Sequence, residues 1–224
     1  MNAHREDLSR AGIGGGMTRI VSGLVVALVV ACAVPALAGP PTDTVRTGID
    51  KALKILEDPN LKGEAHIAER RKLLREIANE AFDFEEMSRR ALATHWRERT
   101  PEERQKFVGL FSDLLENTYF TQIDTHGGGG SVRYGAESLE GDQATVRTTI
   151  VSSKGTEIPA DYRLLQKDGR WWIYDVSIQG VSLVNNYRAQ FNQIIRTSSY
   201  QQLVQRLEKK TIPPATPKTS SAGG

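Results

Sequence analysis

Apolar side chains recur every three or four positions in the first half of the chain and every second position in much of the second half. Val45, Ile49, Ala52, Leu53 and Leu56 share one helical face that stops before Pro59. A second helix is predicted over about 67–81, with Leu73, Leu74, Ile77, Ala78 and Ala81 on one side. Arg70, Arg71, Lys72 and Arg75 lie mostly on the other and read as a solvated face. Asp83 with Glu86, and Thr100-Pro101-Glu102-Glu103, are helix-start boxes, because each places side-chain oxygens where the first turn has free backbone N–H groups. The helix begun at Thr100 carries Phe107, Leu110, Phe111, Leu114 and Leu115, then Tyr119, Phe120 and Ile123, a wide stripe rich in aromatics.

The glycines at 127–130 end the helical half. Beyond them Val132–Leu139, Gln143–Ser152, Glu157–Gln166 and Arg170–Ile178 read as four strands with short, turn-rich gaps, which makes antiparallel hairpins the natural connection. Strict alternation in the last puts Trp172, Tyr174, Val176 and Ile178 on one face and Trp171, Ile173, Asp175 and Ser177 on the other. Helical spacing returns with Val181, Val184, Tyr187 or Arg188, Phe191, Ile194 and Ile195, with Ser182 as the N-cap, and again with Tyr200, Leu203, Val204 and Leu207. From Ile212 to Gly224 the Pro, Thr, Ser, Ala and Gly composition predicts a disordered tail. The expected class is α+β: N-terminal helices, a four-stranded antiparallel meander, and C-terminal helices packed on one sheet face.

The first 38 residues have the form of a secretory signal. Arg5, Arg10 and Arg19 precede an apolar run from Ile20 to Val34, and Ala36-Leu37-Ala38 offers a small-residue cleavage site. The run falls short of the roughly 20 residues a spanning helix needs. Val29-Val30-Ala31-Cys32 is a poor lipoprotein signal, the alternative in which Cys32 is lipidated. The expected division is a signal over 1–38, one domain over 39–211 and the tail over 212–224, in an exported protein. Cleavage would remove Cys32, the only cysteine, and with it any disulfide, thiol nucleophile or thiolate metal site. Three of the 29 Lys and Arg and two of the 27 Asp and Glu lie in the signal, so 26 face 25 in the remainder, a formal net charge of +1. Such a balance creates no strong field toward nucleic acid or membrane.

Few residues suggest chemistry. His66, His95 and His126 are isolated and lack the spacing that would set two ligands on one helix face, so no metal is expected. Gly180-Val181-Ser182-Leu183-Val184 sits where a hydrolase nucleophile would lie, but Val184 stands where the elbow needs glycine and no histidine follows. Asp161 and Asp175, on neighbouring predicted strands, could form an acid/base pair; paired surface carboxylates beside Arg163 and Arg170 are the simpler reading.

Four segments together resemble one family. They are Phe82-Asp83-Phe84-Glu85-Glu86-Met87-Ser88-Arg89; His95-Trp96 followed by Thr100-Pro101-Glu102-Glu103-Arg104 and Phe107; Trp172-Ile173-Tyr174-Asp175-Val176; and Gly180-Val181-Ser182-Leu183-Val184-Asn185-Asn186-Tyr187-Arg188-Ala189-Gln190-Phe191. In order and spacing these resemble the MlaC, or toluene-tolerance, family of periplasmic phospholipid-binding proteins over about residues 45–210. The resemblance implies a non-enzymatic carrier shuttling phospholipid between an inner-membrane ABC transporter complex (MlaFEDB) and an outer-membrane lipoprotein (MlaA). It implies no cofactor beyond the lipid cargo, no nucleic acid, and a monomer whose fold encloses the acyl chains in an apolar cavity. On the apolar faces above, the expected lining is Phe111, Leu114, Tyr162, Leu164, Trp172, Tyr174, Val181, Leu183 and Phe191. Periodicity alone does not separate a filled core from a lined cavity; the resemblance favours the cavity. A small periplasmic enzyme or a structural interaction module on a similar α+β fold are the alternatives.

Overall fold

The helix-start box at Thr100 forms in full, and the one at Asp83 forms its cap bond alone. The Asp83 carboxylate accepts from the Glu86 N–H at 2.8 Å, while Thr100 and Glu103 cap each other, Thr100 N–H to Glu103 Oε2 at 3.0 Å and Glu103 N–H to Thr100 Oγ1 at 3.2 Å. They open α3 (Phe84–Leu92) and α4 (Pro101–His126) in a computed structural model that describes residues 39–126 and 129–214. Before them come α1 (Pro40–Glu57) and α2 (Ile67–Ala81); after the sheet come α5 (Leu183–Thr197) and α6 (Tyr200–Glu208). The signal reading over 1–38 and most of the glycine-run and tail readings lie outside the described residues. Within them, the packed domain reaches further than composition suggests: Ile212, placed in the tail by the sequence, is 5% exposed and joins the core.

Strands β1 (Ser131–Glu140), β2 (Gln143–Val151), β3 (Glu157–Lys167) and β4 (Arg170–Ile178) form the expected antiparallel meander. Asp168 and Gly169 both take positive φ, 53° and 74°, the backbone that a two-residue turn needs to match strand twist. A fifth strand of two residues, β5 (Val181–Ser182), was not anticipated. Gln179 and Gly180, with φ of 50° and 80°, reverse the chain so that Val181 pairs with Ile178 rather than opening the helix. Ser182 is the α5 N-cap, its Oγ accepting from the Asn185 N–H at 3.0 Å.

Register assigns the faces, because directly paired residues share one. The inner face carries Ala144, Val146, Thr148 and Ile150 of β2 opposite Leu164, Tyr162, Ala160 and Ile158 of β3. Strict alternation along β4 fails at a bulge: Leu164 pairs with Ile173 but Arg163 with Asp175, leaving Tyr174 as the extra residue. Trp171, Ile173, Val176 and Ile178 therefore share the inner face, while Trp172 lies with Asp175 and Ser177 on the outer one. β1 is the outer edge of the sheet and is itself bulged between Tyr134 and Glu137. On the opposite side, Phe82 forms a parallel bridge to Ile173 and the Asp83 N–H donates to the Ile173 carbonyl at 2.9 Å, so the α2–α3 connection covers part of the β4 edge.

The helices close over the inner face. α1 packs on β2, β4 and β1, and Glu137 of β1 accepts from the Thr42 N–H at 2.9 Å and the Thr42 hydroxyl at 2.6 Å, capping the start of α1. Phe107 and Phe111 of α4 interlock with Tyr187 and Phe191 of α5 at centroid separations of 5.4–6.0 Å, each ring fully buried. Such pairs are worth about 0.5–1.5 kcal/mol each beyond the area they bury. The basic side of α2 is only in part the solvated face that its composition suggests: Lys72 and Arg75 stay exposed, but α4 and the chain before α2 lie against the rest. Arg70 is buried and donates to the Leu61 and Gly63 carbonyls, Arg71 stacks 4.3 Å from the Phe120 ring, and Arg75 bonds Asp113 at 3.1 Å and pairs with Glu116.

Candidate functional site

The inner face is unevenly filled. Its rows nearest the β1–β2 and β3–β4 turns, Ala144 with Leu164 and Ile173 and Val146 with Val176, are buried. Toward the other end, Val132, Ile150 and Ile158 form a row across β1, β2 and β3 that stays half-buried, and beside it lie half-buried Tyr134 and Ile178 flanking Thr148 and Ala160. These apolar side chains thus keep accessible surface on the core side of the sheet.

The hydroxyls there are held neutral. Burial, with some contribution from neighbouring Tyr134, pushes the Tyr162 phenol up to about 12 against a hydrogen bond with Thr148. Burial and then Asp50 push Tyr134 to about 12 as well, partly opposed by Arg46, whose guanidinium lies 4.7 Å from the ring centroid. The Tyr134 hydroxyl is buried without a hydrogen-bond partner. An apolar surface with a few uncharged hydroxyls suits a hydrocarbon ligand carrying ester or hydroxyl groups.

Of the residues expected from the sequence, the structure brings Tyr162 and, through its pairing with Ile178, Val181 to this region. Phe111, Leu164 and Phe191 are fully buried, and Leu114, Tyr174 and Leu183 nearly so, all within the hydrophobic core. Trp172 sits on the outer face, half-buried, with the Arg170 guanidinium 4.1 Å from its ring. Sequence reasoning missed Tyr134, Ile150, Ile158 and Ile178 as a group, although the alternation of Val132 with Tyr134 and of Val146, Thr148 and Ile150 carried the signal.

The polar candidates have structural partners. Asp175, 2% exposed, is not a surface carboxylate: it accepts from Arg163 Nη1 at 3.0 Å, from the Ser182 hydroxyl at 2.6 Å and from the Val184 N–H at 3.1 Å. Asp161 pairs across the sheet with Ser177 instead. His95 contacts Asn192 at 3.1 Å and His66 contacts Glu69 at 3.4 Å. Among the described residues no cluster of His, Cys, Asp or Glu could hold a metal, and no helix is long and apolar enough to cross a membrane. A groove of about 330 Å³ between α1 and α2 is rimmed by Lys51, Glu80 and Arg170, which satisfy one another through the Lys51–Glu80 ion pair and an Arg170 bond to the Glu80 carbonyl.

The family model described as MlaC protein matches residues 46–209, most of the chain. The chain belongs to the MlaC family. A member from Haemophilus influenzae, the intermembrane phospholipid transport system binding protein MlaC, is 22% identical over 166 residues, covering 72% of this chain and 73% of that protein. The toluene tolerance protein ttg2D of Pseudomonas putida is 24% identical over 119 residues, covering 53% of this chain and 55% of the relative. Among solved structures, a phospholipid-binding protein from Ralstonia solanacearum in complex with a phospholipid is similar at a TM-score of 0.70 and 27% identity, over 77% of this chain and 97% of that one. MlaC membership thus rests on sequence and on fold together.

Proposed function

We propose that this protein is a phospholipid carrier of an intermembrane transport system and that the acyl chains lie against the half-buried rows of the inner sheet face. The similarity to a phospholipid-bound structure along almost the whole of that chain carries this reading. The partly open apolar face supports it. Each buried methylene is worth about 0.8 kcal/mol, so two long chains represent on the order of 20 kcal/mol that must be kept from water during transfer. In this reading Tyr162 and Val181 line the site together with Tyr134, Ile150, Ile158 and Ile178. Phe111, Leu114, Leu164, Tyr174, Leu183 and Phe191 support it from behind, and Trp172 closes the outer side of the sheet. The carrier works in the periplasm as a monomer, receiving and delivering lipid through an inner-membrane complex of the MlaFEDB kind and an outer-membrane lipoprotein of the MlaA kind. Mass spectrometry of lipids extracted from the purified protein tests the reading. Phospholipid near one equivalent per chain is expected, and a folded protein that carries none and accepts none from vesicles would reverse it in favour of an interaction module.

A further inference from the structure

Five arginines from four parts of the fold converge on a second concavity, of about 540 Å³, away from the half-buried rows of the inner face. Arg89 and Arg90 come from α3, Arg97 from the helical turn that follows it, Arg163 from β3 and Arg188 from α5, with Thr94, Trp96, Tyr174 and Asn185 between them. Against them stand the buried Asp175, which also lines the pocket, and Glu86 beneath Arg89 and Arg90. Over a chain whose formal net charge is only +2, this is a local excess of positive charge rather than a share of a general one.

The guanidiniums are also held in place. Arg89 binds Glu86 through two nitrogens at 2.6 Å, and Arg90 bonds Glu86 at 2.6 Å while lying 3.9 Å from the centre of the Tyr174 ring. Arg163 is fixed on Asp175 at 3.0 Å. Arg97 and Arg188 are exposed at the rim. Ala93, which also lines the pocket, is held at φ 50° and ψ −120°, a backbone region that residues with a side chain avoid. That bend turns the chain out of α3 and into the segment that carries Thr94 and Arg97.

We propose that this pocket is a docking site for an acidic segment of a partner protein, which seats its carboxylates on Arg97 and Arg188 at the rim and on the fixed arginines within. Guanidinium forks match carboxylates in pairs, and pre-set forks lose little freedom on binding. The recess is concave and several residues wide, whereas the phosphates of a bilayer form a flat plane that attracts projecting basic clusters. A lone phosphate would leave most of the volume empty. The proposal does not depend on where the acyl chains lie, and lipid content measured on the same samples keeps the two readings separate.

The test is fluorescence anisotropy of a dye-labelled hexaglutamate peptide titrated with the full protein at two salt concentrations. Binding that weakens with salt is expected, and Arg97→Glu/Arg188→Glu should reduce the affinity by about tenfold or more, since both charges face the ligand. The control Lys72→Glu/Arg196→Glu makes the same change in net charge at exposed positions elsewhere and should bind like the unaltered protein. Equal weakening in the two double variants, or no binding by the unaltered protein, overturns the proposal. So does loss of bound phospholipid in Arg97→Glu/Arg188→Glu alone, which would assign the pocket to the lipid. Sedimentation with phosphatidylglycerol vesicles that depends on Arg97 and Arg188 would assign it to the membrane and overturn it equally, as would competition by millimolar inorganic phosphate that fully displaces the peptide.

Discussion

The Ser182 hydroxyl donates to the Asp175 carboxylate at 2.6 Å while its oxygen caps α5, so the end of β4 and the start of α5 are tied by one side chain. The second Asp175 oxygen takes the buried Val184 N–H, and Arg163 braces the carboxylate from β3. Asp175→Ala leaves that N–H and the Ser182 hydroxyl without their acceptor, at an expected cost of about 2–3 kcal/mol. Ser182→Ala should cost about 1 kcal/mol, the usual value of a lost N-cap. Because the two share one network, the double variant should lose less than the sum, which urea unfolding of the three proteins measures.

Filling the site and emptying the core should have opposite signatures. Ile150→Trp adds bulk on the half-buried row and is expected to lower the phospholipid recovered per chain with little change in unfolding midpoint. Phe191→Ala removes a fully buried ring that contacts Phe107, Phe111 and Tyr187, and should cost about 3–5 kcal/mol. Extracted lipid and urea unfolding, read side by side, separate the two. An Ile150→Trp protein with full lipid load would remove that row from the site.

The two inner-face phenols give a pH signature. Tyr134 and Tyr162 sit at about 12 when folded, against about 10 in the unfolded chain, so the folded state holds its protons longer. Stability is therefore level below about pH 10 and falls as pH rises from there toward 12. Phenolate absorbance should show these two titrating late, alongside Tyr200, which burial also raises, and Tyr162→Phe should remove one late tyrosine and soften the alkaline loss of stability.

Glu86 contributes on the acid side. Burial pushes its carboxyl up, but the hydrogen bonds from Arg89 and Arg90 outweigh that and hold it below the usual carboxylate range. Its contribution is present above the unfolded value of about 4.3 and is lost as pH falls through the lower folded value. Glu86→Gln should thus be destabilised at neutral pH and converge on the unaltered protein in acid, as thermal unfolding across pH will show.

Local signals carried much of this fold. The boxes at Asp83 and Thr100 and the period-two runs after residue 131 are decided within a few residues, so the helix starts and the four long strands could be read directly. What escaped depends on partners distant in sequence. The extra residue at Tyr174 exists only relative to β3, and it moves Val176 and Ile178 to the face opposite Trp172. The arginines of α2 look solvated until Asp113, Glu116 and Phe120 of α4 are set beside them. In the same way, an apolar stripe does not reveal that Phe191 is fully buried while Ile150 keeps accessible surface, because that is decided by partners from other elements.

The bulge in β1 limits how any other protein can take hold of this one. A flat, unpaired strand invites a visiting peptide to extend the sheet through backbone hydrogen bonds, a grip indifferent to side chains. Here the exposed strand is interrupted between Tyr134 and Glu137, with Arg133 tied to Glu157 at 2.7 Å beside the break, and part of the opposite margin is occupied by Phe82, Asp83 and β5. An edge so interrupted is a poor template, which leaves recognition of this molecule more to its side chains than to its sheet.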